Sequence, residues 1–297
     1  MKILLTGGTG FIGRSLRKEL VALGHKLIIL TRANKENNES TNYIYWNWKK
    51  PTDLTDLMNE VDIVINLAGE SIAKKQWTRE QKDLIYKSRV VTTKLLVEAI
   101  NKATKKPKKL ITSSATGFYG NRNDEKIIET SSSGTGFLAD TCKDWETEAQ
   151  KATTNTVILR IGIVLGKKGG ALEKMLTPFK MFIGGPLGSG KQWMSWVSIY
   201  DVTGLIKFAI ENDNVTGILN ATSPNPTTNK EFSNTLGKVL HRPSFMAVPG
   251  FTLKLLLGEM SDLLLDSQKV FPERVLQLGY KFKYPDLENA LKRILHN

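Results

Sequence analysis

A doubly wound α/β fold, a parallel sheet with helices on both faces, is predicted by three observations. Apolar runs of strand length recur through the first 166 residues, amphipathic stretches of helix length separate them, and the connections are short. The first run, Lys2 to Leu5, leads through "TGGTGFIG" into a predicted helix from Phe11 to Leu23. "KLIILTR" (26–32) and "VDIVINLAG" (61–69) read as buried strands because each is a continuous apolar run rich in β-branched residues. Residues 79–102 set Leu84, Ile85, Val91, Leu95, Leu96, Ala99 and Ile100 at helical spacing, and "KKLITSSA" supplies the next strand. Another helix, ending near Ala152, leads into "TVILRIGIVLG" (156–166). Such a sheet carries its ligand crevice at the C-terminal ends of its strands.

Past residue 167 the alternation weakens. Gly169-Gly170, Gly184-Gly185 and "GSGK" mark loops around the helical stretch "ALEKMLTPFKMFI". The expected organisation is a Rossmann-type domain over 1–166 and a smaller substrate-side lobe over 167–297, with 193–222 returning to the sheet. Asp201, at the end of "WMSWVSIYD", reads as a helix N-cap. Lys191, Gln192, Trp193 and Trp196 are candidates to line a substrate cleft. "GPLGSGKQ" (185–192) has P-loop spacing, but Gln192 replaces the hydroxyl that would hold magnesium and no strand precedes it, which argues against a triphosphate site.

Gly7, Gly10 and Gly13 form G-x-x-G-x-x-G between the first strand and the first helix. In that context the first glycine permits a sharp turn, the second admits a pyrophosphate against the backbone, and the third lets helix and strand pack closely. The helix N-terminus then presents free N–H groups and a positive dipole end to the phosphates. A dinucleotide site is expected there. The end of the second strand chooses between cofactors, since an acid would bind a ribose 2′-hydroxyl and an arginine a 2′-phosphate. Thr31-Arg32 stands there with Lys35 nearby, so NADP is expected rather than NAD.

Composition narrows the function classes. A chain of 297 residues with 40% hydrophobic content can bury a large core. One cysteine, Cys142, rules out an intrachain disulfide, and His25, His241 and His296 lack metal-ligand spacing, so no metal is expected. Net charge is +13, yet the lysines are scattered and no recognition motif accompanies them, so an anionic cofactor or substrate is expected rather than nucleic acid. The apolar runs are too short or too interrupted for a signal peptide or a membrane span, and a cytoplasmic protein is expected.

The chain resembles, over nearly its whole length, the extended short-chain dehydrogenase/reductase superfamily. It is most similar to that superfamily's atypical epimerase-family branch, related to NAD(P)-dependent epimerases and dehydratases. The resemblance rests on "TGGTGFIG", "NLAGESI" (66–72), "QWTREQKDLIYKSRV" (76–90), "SSATGFYG" (113–120), "FLADTCKDWE" (137–146), "GGPLGSGKQWMSWVSIYD" (184–201) and "NATSPNPTTNKEF" (220–232). The closing "LLLDSQKVFPERVLQLGYKFKYPDLENAL" is similar to the branch's own C-terminal module, over about 247–294. For the cofactor, the resemblance implies contacts from Gly7, Thr9, Gly10, Phe11, Ile12 and Gly13. It implies others from Arg32 and from Leu67, Ala68, Gly69 and Glu70.

In the parent superfamily a tyrosine and a lysine one helical turn apart carry out acid/base work, and a serine on the preceding strand binds the reacting oxygen. Ser114 matches that serine. The helix offers Leu138 and Cys142 at the required spacing, or Phe137 and Thr141 one residue earlier; neither register supplies the pair. Lys143 is about 100° around the helix from Cys142. Arg89 stands where an asparagine usually supports the lysine. Candidates to handle a proton are therefore Tyr119, Glu70, Cys142 or a water held by Arg89, and the expected catalytic set is Ser114, Arg89, Tyr119 and Cys142. Two readings follow: an NADP-dependent reductase or epimerase acting on a small molecule, and a noncatalytic NADP(H)-dependent binding or regulatory protein.

Overall fold

Side chains of β1 (Lys2–Thr6) beyond Lys2 are buried, and α1 (Phe11–Ala22) returns over them on Gly13, Leu16 and Leu20, which share one helical face. The computed structural model describes residues 1–33 and 35–296. β2 (Lys26–Thr31) and β3 (Thr41–Tyr45) extend the sheet to one side of β1. After α2 (Thr55–Met58), β4 (Ile63–Asn66) pairs on the other side, followed by α3 (Arg79–Lys102) and β5 (Lys109–Ala115). The short β6 (Lys126–Ile127) and α4 (Phe137–Gln150) precede β7 (Asn155–Ile161), which pairs with β5. β8 (Ile163–Leu165), α5 (Gly170–Lys180), β9 (Trp193–Met194), β10 (Trp196–Ser198) and α6 (Ile199–Glu211) lead to β11 (Gly217–Ala221).

The main sheet has the order β11-β7-β5-β4-β1-β2-β3, and every pairing in it is parallel. A parallel sheet covered on both faces needs strands apolar on both faces, which is why the strands read as continuous runs rather than alternating ones. α1 and α6 close one face through Leu16, Leu20, Val202, Leu205 and Ile206, and α3 closes the other through Leu96, Val97 and Ile100. The chain reverses its direction of growth between β1 and β4, which creates the crevice.

Three expectations need correction. The run 156–166 is not one strand: a Cβ on Gly162 would overlap the Ser195 carbonyl, so the chain leaves the sheet there and β8 pairs with β10 instead. Of 193–222, only Gly217–Ala221 joins the main sheet; β9 pairs with the Thr227–Thr228 strand. Asp201 is not an N-cap, because Ser198 holds that position and accepts the Asp201 N–H at 3.0 Å. The Asp201 carboxylate accepts the Ser198 hydroxyl and the N–H groups of Lys283 and Tyr284, clamping the C-terminal segment onto the domain.

α7 (Asn229–Leu240) begins with a Thr228/Glu231 capping box, and α8 (Gly250–Leu257) follows. The last helix, Leu287–His296, buries Leu287, Ala290, Leu291 and Ile294 against Phe232 and Leu236. Among the described residues no helix is long and apolar enough to cross a membrane.

Candidate functional site

The turn between β1 and α1 is built by three glycines with different tasks. Gly7 has φ +70°, and a Cβ there would overlap the Leu67 carbonyl at the end of β4. A Cβ on Gly13 would overlap the Gly7 carbonyl and approach the Gly8 Cα to 2.7 Å, so the third glycine sets how closely α1 approaches β1. Gly10 differs from both. It is exposed, and a Cβ there would meet only the Gly7 oxygen, at 3.1 Å, leaving the space beyond open. Among the described residues no side chain caps α1, so its first-turn N–H groups remain open to a ligand.

Phe11 inserts its ring among Gly166, Gly169 and Gly170, where Cβ atoms would come within 2.6–2.8 Å of it. That contact ties the turn to the loop before α5. Ile12 packs on the core, and the Thr9 carbonyl accepts Arg14 Nη1 at 3.1 Å. Arg32 is exposed directly after β2. Lys35 lies 5.8 Å over the Tyr43 ring, whose hydroxyl accepts from Arg17, so basic side chains gather beside the end of β2. Asn34 lies outside the described residues.

Asn66, at the end of β4, went unremarked in the sequence. Its Oδ1 accepts the Thr6 hydroxyl at 2.6 Å, and its Nδ2 donates to Thr93 at 2.8 Å and Thr112 at 3.2 Å. Fully buried, it joins β1, β4, β5 and α3 under the switch point. Beyond it Leu67 sits against the Gly7 turn, Ala68 and Gly69 follow, and the Glu70 N–H is held by Ser88.

Arg89 lies beneath Gly69, whose Cβ would be 3.1 Å from the guanidinium carbon. Its Nη1 donates to the Ile85 carbonyl at 3.0 Å, and Trp145 stacks 5.6 Å away. Among the described residues it has no carboxylate partner. Burial lowers its pKa, and the facing Cys142 and Glu70 groups offset part of that effect. A half-enclosed cation without an anion is an arrangement that a bound anion or polar ligand would complete.

The two helical registers place their side chains differently. Leu138 touches the Gly117 position and Cys142 faces Ser114 and Ala115, whereas Phe137 stacks on Trp77 and the Thr141 hydroxyl returns to the Phe137 carbonyl. Leu138 and Cys142 thus face the β5 side of α4, toward Ser114 and Gly117. Burial and the Glu146 charge push the Cys142 thiol up to about 11, so it is protonated at neutral pH.

Ser114 and Tyr119 belong to a buried network that the sequence did not reveal. Ser114 Oγ donates to Glu146 at 2.6 Å, and Arg160 clasps that carboxylate through Nε at 2.9 Å and Nη2 at 2.7 Å. Arg160 Nη1 donates to the Tyr119 oxygen, whose own hydrogen goes to Asn220 Oδ1 at 2.7 Å. Glu129 accepts the N–H groups of Asn220 and Arg274, extending the network to the C-terminal segment. Tyr119 is fully buried, and burial raises its pKa against the pull of Arg160. Its phenol is therefore engaged on both sides within the network, by Arg160 and Asn220.

Trp196 is likewise core rather than cleft, with Nε1 bonded to the Asn225 carbonyl. Gln192 ties the Leu187 and Leu264 carbonyls together, and Trp193 bonds Asp124. On the lobe side a cavity of about 530 Å³ is lined by Asn121, Ser189, Phe251, Lys254, Asp262 and Asp266. Burial and the neighbouring Asp262 push Asp266 up to about 6. Among the described residues no group of His, Cys, Asp and Glu could hold a metal ion.

Comparison with known proteins places this geometry. The NAD dependent epimerase/dehydratase family matches residues 3–221, and a domain of unknown function, DUF1731, matches residues 248–294. The chain is 39% identical to the Bacillus subtilis epimerase family protein YfhF over 99% of this chain and 98% of that protein. It is also 39% identical to the chloroplastic SDR39U1 homolog of Arabidopsis thaliana, over 99% of this chain and 87% of the relative. The crystal structure of human epimerase family protein SDR39U1 (isoform 2), solved with NADPH, superposes with a TM-score of 0.91 at 34% identity and covers 100% of both chains. The chain belongs to the NAD dependent epimerase/dehydratase family.

Proposed function

We propose that the chain is an NADP(H)-dependent oxidoreductase or epimerase of the atypical short-chain type, acting on a small molecule. The observation that carries the reading is the clearance at Gly10: a Cβ would fill the space where a pyrophosphate meets the α1 N–H groups. The NADPH in the human relative agrees with Arg32, Lys35 and Arg17 around the adenosine end. Gly7, Gly10 and Gly13 would hold the pyrophosphate, Arg32 the 2′-phosphate, and Leu67 to Glu70 the nicotinamide half. When bound, the cofactor supplies or accepts a hydride.

The chain's own residues then have restricted roles. The Glu146 carboxylate, clasped by Arg160, can only accept, so the single hydrogen of Ser114 is committed to it. Ser114 retains acceptor capacity toward a substrate hydroxyl and does not donate to a carbonyl oxygen. Arg89 is the cation available to hold an anionic or polar substrate group. Leu138 and Cys142 exclude water from the place where a phenol and an ammonium would stand.

A second reading, a noncatalytic NADP(H)-binding protein, is favoured by that same Leu138 and Cys142 pair. Incubation with NADPH and a panel of carbonyl compounds, followed at the nicotinamide absorbance, separates the two. Substrate-dependent loss of NADPH supports the oxidoreductase; tight NADPH binding with no turnover across the panel supports the binding protein.

A further inference from the structure

Arg160 shows what an arginine does in this fold when its anion is present. Nη1 donates to the Tyr119 oxygen and the Glu129 carbonyl, while Nε and Nη2, the two donors along one edge of the guanidinium, take Glu146 Oε1 at 2.9 Å and Oε2 at 2.7 Å. Arg89 repeats the arrangement with that edge unfilled. Its Nη1 donates to the Ile85 carbonyl and the Trp145 ring lies 5.6 Å away, but among the described residues Nε and Nη2 donate to no protein atom. Arg89 is half-buried, so water alone serves those donors poorly. Gly69, which is exposed, lies over the guanidinium, and a Cβ there would stand 3.1 Å from both Cζ and Nη2. Its φ is not positive, so the backbone does not require a glycine; the cation beneath it does.

Geometry and charge select the ligand. The Nε and Nη2 edge matches the two oxygens of a carboxylate, as Glu146 demonstrates on Arg160. Glu70 already offsets part of the Arg89 charge, so a single negative charge balances the site and a phosphate dianion would exceed it. Ser114 sets the second requirement. Its one hydrogen is held by Glu146, so it meets a ligand as an acceptor and calls for a hydroxyl. Cys142 links the two positions: the thiol meets Ser114 and the Ala115 backbone, and the Arg89 charge reaches it as well. A carboxylate and a hydroxyl a few bonds apart on one small molecule can serve both. We propose, resting on the NADP(H)-dependent reading above, that Arg89 and Ser114 form the recognition site for a short hydroxy monocarboxylate. The Nε and Nη2 edge of Arg89 holds its carboxylate, and the Ser114 oxygen accepts its hydroxyl hydrogen.

The test is calorimetric titration of the NADP⁺-saturated full chain with 2- and 3-hydroxybutyrate, their methyl esters and butyrate. At least one hydroxy acid should bind about tenfold or more tightly than its ester, which keeps the hydroxyl and lacks the charge. It should also bind more tightly than butyrate, which keeps the charge and lacks the hydroxyl. Arg89→Met should erase the difference between acid and ester, and Ser114→Ala the difference between hydroxy acid and butyrate, in variants whose far-ultraviolet circular dichroism is unchanged. Arg89→Lys keeps the charge without the two-donor edge; it provides a second reading should Arg89→Met fail to fold, and it should retain only part of the preference for the acid. Equal binding of acid and ester by wild type, or a preference that survives in full in Arg89→Lys or folded Arg89→Met, would overturn the proposal. So would a chain that binds NADPH and none of the acids, which leaves the cofactor reading standing. A chain that does not bind NADPH would overturn that reading and this proposal with it.

Discussion

Gly10→Val should abolish cofactor binding in a folded chain, whereas Gly13→Ala should destabilise the fold. At Gly10 the backbone has φ −76° and ψ −176°, which any residue adopts, and the one contact for a Cβ is the Gly7 oxygen at 3.1 Å. A shift of a few tenths of an ångström relieves that contact, so folding costs little. The valine methyls, however, project into the space a pyrophosphate must enter, and binding should fall by more than about 100-fold, or ~2.7 kcal/mol. At Gly13 the added carbon overlaps the Gly7 carbonyl and reaches 2.7 Å from the Gly8 Cα, both backbone groups that cannot rotate away. α1 must move off β1. Overpacking of this kind costs about 1–3 kcal/mol, and each kcal/mol lowers Tm by roughly 2–4 °C in a large domain. Circular dichroism melts and calorimetric titration with NADPH read the two effects separately. Normal NADPH binding by folded Gly10→Val, or an unchanged melt for Gly13→Ala, would refute the division of labour among the glycines.

Arg89→Ala should impair ligand engagement far more than Cys142→Ala, since Arg89, beneath Gly69, has no carboxylate in salt-bridge contact among the described residues and Cys142 is a buried thiol pushed up to about 11. Titrations of both variants compare them, and wild-type Cys142 should resist thiol reagents near neutral pH. Arg160→Met should cost about 3–5 kcal/mol by leaving Glu146 buried without its partner; urea unfolding measures it, and adding Glu146→Gln should restore part of the loss. Asp266, raised to about 6 in the folded chain from an ordinary 3.8, binds a proton more tightly folded than unfolded. Its contribution to stability is therefore present below pH ~4 and lost as pH rises through about 6. Asp266→Asn should remove that decline and raise stability at neutral pH by about 1 kcal/mol, a figure reduced for the solvent-facing side of the group. Melts at pH 4 and pH 7 check it.

What the sequence made legible is local in origin. The helix over 79–102 was readable to its ends because Thr78 caps it and its apolar spacing runs unbroken. The glycine turn was readable because the three positions act within seven residues. β3 was missed because "TNYIY" at the sheet edge keeps exposed positions and lies among polar residues. The break at Gly162 was invisible because its cause, the Ser195 carbonyl, lies 33 positions away in the chain. The same holds for the roles of Ser114 and Tyr119. Ser114 reaches Glu146 on α4 across 32 positions and Tyr119 reaches Asn220 on β11 across 101, so their hydrogen-bond partners are set by tertiary packing. Arg89 was readable as a cation in need of a partner, but not its place under Gly69.

The most direct measurement is a calorimetric titration of wild type and Arg32→Ala with NADPH and with NADH. The account predicts that wild type binds NADPH more tightly, and that Arg32→Ala loses most of the difference, on the order of 1.5–3 kcal/mol for a charge-assisted phosphate contact. Its affinity for NADH should stay the same. Equal affinities of wild type for the two cofactors, or a preference that survives in Arg32→Ala, would contradict the assignment of the β2 end as the 2′-phosphate site.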